Sequence, residues 1–156
     1  MDFAPNQEEK KYDIPWNVLI VDDEDTVHSF TKLALKNFVY DNKKLNFLSS
    51  FSAQEALKTI IDNKNIDMIL LDVIMETDTA GLDLVTTIRE EVKNKYVPIV
   101  IRTGQAGKEH ESYVVNNYDI NDYKEKGTLT AQKLNTATKM ALYHTKQIKE
   151  LLTKLS

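Results

Sequence analysis

The distribution of apolar residues along the chain predicts five buried strands separated by helices. Val18-Leu19-Ile20-Val21 is a continuous apolar, largely β-branched run that ends abruptly in acidic residues. Such a run is typical of a strand that is buried on both faces of a parallel sheet. Further strands are predicted at residues 45–51, 68–71, 98–101 and 120–124.

Helical spacing of apolar residues fills the intervals between the strands. Residues 25–40 form a predicted helix whose buried face contains Val27, Phe30, Ala34 and Phe38. Ser52-Ala53-Gln54-Glu55 has the spacing of a capping box and predicts the start of a helix that runs to about residue 62. Later helices are predicted after Gly81, over residues 108–117, and from Thr128 or Thr130 to the C-terminus.

The alternation of strands and helices predicts the topology. Strand–helix–strand units connect in a right-handed sense, so this series predicts an α/β fold with a doubly wound five-stranded parallel sheet and helices on both faces. Ligands of such sheets bind at the carboxyl ends of the strands. Polar residues follow these ends in four places, namely Asp22 and Asp23, Asp72, Thr103, and Lys126. We therefore expect these side chains to meet at one edge of the sheet.

Composition limits the size and the partners of the protein. The 156 residues, of which 42% are hydrophobic, fit one domain and leave no room for a second full domain. The formal net charge of −4 argues against direct binding of nucleic acid, which needs a clustered positive face. The absence of cysteine excludes disulfides and thiolate chemistry. No apolar run approaches the length of a membrane span, and we expect a soluble, cytoplasmic protein.

The predicted edge residues suit one kind of chemistry. Three clustered carboxylates repel one another unless a cation lies between them. Mg²⁺ suits that position because it binds a few carboxylate oxygens and keeps a coordination position for a phosphoryl oxygen. Asp72 is then a candidate nucleophile, with Lys126 and Thr103 placed to offset the charge of a phosphoryl group. Each residue alone has a simpler explanation, such as a helix cap or a turn, but their coincidence at successive strand ends favours a functional site.

Four segments resemble the signature blocks of response-regulator receivers, the phosphorylation switches of bacterial two-component systems. They are VLIVDDE at residues 18–24, LLDVIM at 70–75, IRTG at 101–104 and DYKEK at 122–126. The resemblance covers about residues 16–145. It implies a flavodoxin-like fold with the strand order 2-1-3-4-5.

The resemblance also implies a role for each matched residue. Asp72 would be the phosphoacceptor. The ligands of Mg²⁺ would be Asp22, Asp23, Asp72 and the backbone carbonyl of Ile74. Thr103 and Lys126 would hold the phosphoryl group, and Thr103 together with Tyr123 would switch conformation in response to it.

The implied partner is a histidine kinase or a phosphotransfer protein, and the domain would catalyse only its own phosphorylation and dephosphorylation. Residues 121–134 further resemble receivers that lie upstream of other domains, often HD-GYP phosphodiesterases. An output domain or a downstream protein is therefore a second expected partner. We expect residues 1–15 to be a flexible extension, residues 16–142 to be the receiver, and residues 143–156 to extend the last helix.

Two residues depart from the family pattern. Glu76 follows Met75 where the family commonly has proline, and the loop to Gly81 is one residue longer. Gly127 follows Lys126 where the family has proline, often after a cis bond. Because a cis bond before a non-proline residue costs about 3 kcal/mol, we predict a trans bond there.

Three other interpretations are open at this point. Asp23-Glu24-Asp25-Thr26-Val27 fits the motif of haloacid-dehalogenase-like Mg²⁺-dependent phosphatases, with Asp23 and Asp25 as the acidic residues, but no further acidic pair follows Lys126. A flavodoxin-like FMN carrier would share the sheet, but its phosphate would be repelled by the acidic loop. A receiver that binds its partner without phosphorylation is the third, and the intact acidic residues disfavour it.

The last helix is longer than one sheet face needs. Apolar residues and one histidine keep a three-four spacing to its end, at Leu134, Ala137, Ala141, His144, Ile148, Leu151 and Leu155. This spacing is typical of the seam of a two-stranded coiled coil. We expect a parallel homodimer through this helix or a helical connector to an output domain. A frayed linker helix is the simpler alternative, because isolated helices of this length are marginal in water.

Overall fold

The computed structural model describes residues 10–105 and 107–156. Five strands and five α-helices alternate in this part of the chain. Their bounds are β1 Trp16–Val21, α1 Asp25–Ala34, β2 Leu45–Ser50, α2 Ala53–Asp62, β3 Met68–Leu71, α3 Ala80–Thr86, β4 Ile99–Thr103, α4 Lys108–Asn117, β5 Asp122–Glu125 and α5 Ala131–Leu155. A π-helical turn, Thr87–Glu91, extends α3, and a 3₁₀ turn, Lys126–Thr128, links β5 to α5.

The five strands form one parallel sheet in the order β2-β1-β3-β4-β5. This confirms the predicted α/β fold and its flavodoxin-like strand order. The register places Val21, Leu71, Ile101 and Tyr123 in one row across β1, β3, β4 and β5. The residues that follow this row therefore emerge together at the carboxyl edge of the sheet.

Both faces of the sheet are buried, as the continuous apolar runs predict. On one face, Leu19, Ile69 and Ile101 pack with apolar residues of α2, α3 and α4. On the other face, Ile20 and Leu70 pack with apolar residues of α1 and α5. The sheet is thus held rigidly between two apolar layers, and its carboxyl edge is a firm support for polar side chains.

The predicted buried face of α1 is wrong at Phe30 and omits two buried polar residues, although Phe38 is buried and Ala34 packs against the core. Phe30 is 42% exposed, whereas His28 and Thr31 are almost completely buried. Two hydrogen bonds compensate for the burial of His28, and the Thr31 hydroxyl both donates and accepts. Apolar spacing cannot detect a helix face whose buried members are polar and satisfied.

The predicted length of α1 is also wrong, since the helix ends at Ala34 and not near residue 40. Leu35 and Phe38 leave the helical path and bury their side chains in the core. The chain then reverses at Asp41 and Asn42, both of which have a positive φ. Aspartate and asparagine are the residues that best tolerate this conformation, and the reversal delivers the chain to β2.

Other predictions agree with the structure to within a few residues. Ser52 caps α2 and accepts a hydrogen bond from the backbone N–H of Glu55, as the capping box predicts. The Lys126–Gly127 bond is trans, because the described residues contain no cis peptide bond. Residues 1–9 of the predicted extension lie outside the described residues. Among residues 10–15, Asp13 donates its backbone N–H to the carbonyl of Asn42 (3.0 Å).

The long last helix is confirmed, and it contacts the rest of the domain beyond residue 142. Thr145 is buried and donates its hydroxyl to the backbone carbonyl of Asp67 (2.6 Å). One turn later, Lys149 forms an ion pair with the Asp67 carboxylate (2.5 Å). Among the described residues, no helix has the length and apolarity needed to cross a membrane.

Gly81 provides a test of how tightly α3 packs against the carboxyl edge. A Cβ atom at this position would lie 1.9 Å from the backbone carbonyl oxygen of Asp72, whereas a Cβ at Gly104 would meet no atom within 4 Å. We predict that Gly81→Ala lowers the free energy of unfolding by about 1–3 kcal/mol or more, because the backbone has to move. The measurement is urea denaturation.

Gly104→Ala is the matched control, and we expect a change within about 1 kcal/mol. Equal stabilities of Gly81→Ala and the wild-type protein would contradict the close approach of α3 to Asp72.

Candidate functional site

Three carboxylates meet at the carboxyl edge of the sheet. Asp22 and Asp23 follow β1 and Asp72 follows β3, and one oxygen from each lies within 4.8 Å of the others. Backbone hydrogen bonds fix this geometry, because Asp22 donates its N–H to Ser50 and Asp72 donates its N–H to Val21. The expected acidic cluster is therefore present, with Asp22 and Asp72 buried and Asp23 exposed.

Asp22 is the most enclosed of the three. Its Oδ1 accepts the backbone N–H of Glu24 (2.9 Å), and its backbone carbonyl accepts Nε2–H of His28 (2.8 Å). His28 Nδ1 lies 3.0 Å from the Ser49 hydroxyl, so this imidazole joins α1 to the ends of β1 and β2. Asp22 Oδ2 is buried, and its partner among the described residues is the ammonium group of Lys126.

Lys126 brings a positive charge to the cluster from the end of β5. Its Nζ forms ion pairs with Asp22 Oδ2 (2.9 Å) and with Asp72 Oδ2 (3.3 Å). Burial alone would lower the pKa of the Lys126 ammonium group, but the two carboxylates raise it above its ordinary value. The ammonium group is therefore charged, and it offsets part of the repulsion between Asp22 and Asp72.

The surroundings of Asp72 disfavour the charged form of its carboxylate. Burial, followed by the charge of Asp22, raises the pKa of Asp72 to about 6, although Lys126 and the backbone N–H of Val73 oppose the shift. The ionised form of Asp72 is destabilised because its side chain is only 7% exposed and has a like charge beside it. An additional cation would remove that cost.

Thr103 and Tyr123 lie on the neighbouring strands. Thr103 is the last residue of β4, and its buried Oγ1 accepts the backbone N–H of Gln105 (3.2 Å). The Tyr123 ring is buried, and its hydroxyl and His110 Nδ1 of α4 form a hydrogen bond of 2.5 Å. Burial, followed by the nearby carboxylates of Glu125 and Glu111, raises the pKa of Tyr123. Tyr123 thus connects the sheet edge to α4.

The loop after Asp72 contains two further residues of interest. Ile74 is partly buried against the core, two residues beyond Asp72. Glu76 accepts the backbone N–H groups of Ala53 and Gln54 at the start of α2 (2.9 and 3.1 Å). Partial burial would raise the pKa of Glu76, but these two hydrogen bonds lower it. The departure from the family pattern at Glu76 therefore joins the loop to α2.

Sequence reasoning did not assign a role to His28, Glu76 or Arg102. Arg102 is 3% exposed and donates Nη1–H to the Thr31 hydroxyl (2.6 Å). A signal for Arg102 was available, because a charged residue within an apolar strand is rarely buried without a reason. His28 carried no such signal, because its partner Ser49 is distant in the sequence.

The donor set fits a hard divalent cation such as Mg²⁺. Mg²⁺ prefers oxygen ligands and binds through one or a few carboxylates together with water. Asp22, Asp23 and Asp72 present such oxygens, which lie within 4.8 Å of one another. The residues present therefore fit this cation.

The fold and the edge residues define a parallel α/β domain with an acidic cluster at the carboxyl edge of its sheet. Residues 18–139 match the family described as the response regulator receiver domain. The chain belongs to this family, the receiver domains of two-component response regulators.

A curated relative supports the assignment to this family. The 3'3'-cGAMP-specific phosphodiesterase 2 of Vibrio cholerae serotype O1 is 50% identical over 122 residues, which are 78% of this chain and 23% of that protein. The chain thus spans about a quarter of the length of this curated relative. The narrower resemblance to receivers that lie upstream of phosphodiesterases agrees with this match.

Solved structures show the same fold. The receiver domain of a Clostridium thermocellum response regulator has a TM-score of 0.69 at 24% identity, over 85% of this chain and 98% of that one. The receiver domain of an HD domain-containing protein of Pseudomonas fluorescens Pf-5 has a TM-score of 0.68 at 19% identity, over 85% and 98% of the two chains. The comparisons give no support to the haloacid-dehalogenase-like alternative with Asp23 and Asp25.

Proposed function

We propose that this receiver takes a phosphoryl group on Asp72 from a histidine kinase or a phosphotransfer protein. Asp22, Asp23, Asp72 and the backbone carbonyl of Ile74 hold Mg²⁺ in this proposal. The observation that supports it best is the close approach of the three carboxylates, whose combined charge the single ammonium group of Lys126 does not neutralise. Such an arrangement is unfavourable unless a cation completes it.

The described side chains suit the proposed reaction. An oxygen of the Asp72 carboxylate attacks phosphorus, and the bond from phosphorus to the donor nitrogen breaks. The electron pair of that bond stays on the donor imidazole, which then takes a proton from solvent. Bound Mg²⁺ would supply positive charge to the phosphoryl oxygens. Lys126 offers an ammonium group 3.3 Å from Asp72 Oδ2, and Thr103 offers a hydroxyl donor.

The proposal makes the domain a switch and not an enzyme acting on other molecules. It catalyses only its own phosphorylation and dephosphorylation. We further propose that the protein is cytoplasmic, because phosphodonors derived from ATP are available in the cytoplasm. The phosphodiesterase relative suggests that an output domain or a downstream protein receives the signal.

The last helix is the proposed route to that output, as a connector or as a homodimer. Contacts of Thr145 and Lys149 with Asp67 fasten its middle to the receiver. Leu151 and Leu155 lie beyond these contacts and are 55% and 84% exposed. We therefore propose that the free part of the helix begins after Lys149, later than the boundary at residue 142 that the sequence predicts.

Phosphorylation is the direct test of the proposed function. We predict that incubation with Mg²⁺ and acetyl phosphate adds the mass of one phosphoryl group to the intact protein. Asp72→Asn should abolish this gain, because an amide is not a nucleophile for this reaction, and excess EDTA should prevent it. Intact-protein mass spectrometry is the measurement.

Asp25→Asn is the control for the phosphatase alternative, because Asp25 is exposed at the start of α1. Uptake should be unchanged in this variant. Phosphorylation that persists in Asp72→Asn would refute the proposal.

The switch is proposed to involve Thr103 and Tyr123. We predict that beryllofluoride, a phosphoryl analogue, draws the Thr103 hydroxyl toward Asp72 and changes the hydrogen bond between Tyr123 and His110. In NMR spectra, His110 and the surface of α4, β5 and α5 should shift in the wild-type protein. Tyr123→Phe lacks the hydroxyl and should lose the shift at His110 while it still binds beryllofluoride. An unshifted His110 in the wild-type complex would rule this mechanism out.

Dimerisation through α5 has its own test. If the exposed apolar residues form a seam, Leu151→Asp and Leu155→Asp should convert a dimer to a monomer in sedimentation at neutral pH, because a charge in the seam is poorly solvated. Gln147→Asp, an exposed change on the same helix, is the control. A wild-type protein that sediments as a monomer at high concentration would leave only the connector role.

A further inference from the structure

Arg102 is a buried cation that the proposed reaction does not use. It lies in β4 directly before Thr103 and is 3% exposed. Its Nη1 donates to the Thr31 hydroxyl, but its Nη2 is buried and has no hydrogen-bond partner among the described residues. It also forms no direct ion pair with a carboxylate in this part of the chain. A buried, charged guanidinium with an unsatisfied N–H group destabilises the fold unless opposite charges nearby stabilise it.

The charges that stabilise Arg102 belong to the acidic cluster. Burial lowers the pKa of its guanidinium, and the carboxylates of Asp22 and Asp72 oppose that shift. Arg102 and Lys126 also line the same cavity, of about 340 Å³, together with Glu24. Arg102 therefore lies on the Lys126 side of the acidic cluster, and arginine in proteins is charged at neutral pH.

Arg102 changes the net charge of the acidic cluster. Asp22, Asp23, Asp72 and Lys126 together carry two negative charges, and Arg102 reduces this to one. Phosphorylation replaces the single charge of Asp72 by about two negative charges. With a divalent cation bound, the phosphorylated cluster is then neutral with Arg102 and has one negative charge without it. Because Asp22 and Asp72 are buried, the site favours the neutral arrangement.

We propose that Arg102 is a second cation of the phosphorylation site, which favours the phosphorylated state at the cost of weaker metal binding by the free site. This inference rests on the proposed function. Arg102 acts through its charge and not by contact with the reacting atoms, so it is not a catalytic residue. Removal of the Arg102 charge should therefore strengthen Mg²⁺ binding by the free site and weaken the phosphorylated state.

The test uses Arg102→Met, which keeps most of the side-chain volume and removes the charge. At pH 8, where Asp72 with its pKa of about 6 is ionised, Mg²⁺ affinity is measured by isothermal titration calorimetry. We expect Arg102→Met to bind Mg²⁺ about fivefold to tenfold more tightly, because one nearby repulsive charge is gone. At saturating Mg²⁺, its affinity for beryllofluoride, measured by NMR titration, should fall by about fivefold to tenfold.

Two control variants separate charge from structure. Thr31→Val removes the hydrogen bond to Arg102 and keeps the charge, so both affinities should stay within about twofold of the wild-type values. Arg102→Lys keeps the charge and should retain most of the wild-type behaviour in both measurements. If Arg102→Met does not fold, Arg102→Gln, which keeps a hydrogen-bond donor without the charge, takes its place.

The outcomes distinguish the two proposals. Wild-type protein that binds neither Mg²⁺ nor beryllofluoride would defeat the proposed function itself. Wild-type binding with unchanged affinities in the neutral variants, or with both affinities lowered together, would overturn the role of Arg102. The same opposite-signed changes in Thr31→Val would assign the effect to the position of α1 and would also overturn it.

Discussion

The repulsion between carboxylates that the fold forces together is the constraint on which the rest of the site depends. Asp22 and Asp72 are buried and ionisable, and neither can move apart because its backbone N–H is bonded to a neighbouring strand. Folding must therefore meet an electrostatic cost at this edge. Lys126 offsets part of that cost by direct ion pairs, and the remaining negative charge gives the edge an affinity for cations.

The loops around the edge hold this unfavourable arrangement in place. Gly81 lets α3 approach the backbone carbonyl of Asp72 more closely than any residue with a Cβ atom would permit. Glu76 fixes the same loop to the start of α2 by two hydrogen bonds, where a carboxylate is also favoured by the helix dipole. The carboxylates thus gain a rigid support from elements that carry none of the proposed chemistry.

The sequence predicted the sheet and the acidic cluster because both depend on simple patterns. Apolar runs mark the strands, and parallel strands bring Asp22, Asp72 and Lys126 to one edge whatever the details of packing. The buried face of α1 did not follow from such a pattern. His28 and Thr31 are buried because Ser49 and Arg102, which are distant in the sequence, satisfy them. Partners of this kind become visible only when the chain is folded.

These buried polar residues give the site two mechanical connections of different kinds. Tyr123 of β5 links the sheet to α4, where His110 bonds the Tyr123 hydroxyl. On the opposite face, His28 bonds the backbone carbonyl of Asp22, and Arg102 bonds Thr31, so α1 is attached to the same edge twice. A change of charge at Asp72 alters the forces on Asp22, Lys126 and Arg102 together. Because the core on both faces is close-packed, we expect the proposed phosphorylation of Asp72 to act on α1 as well as on α4.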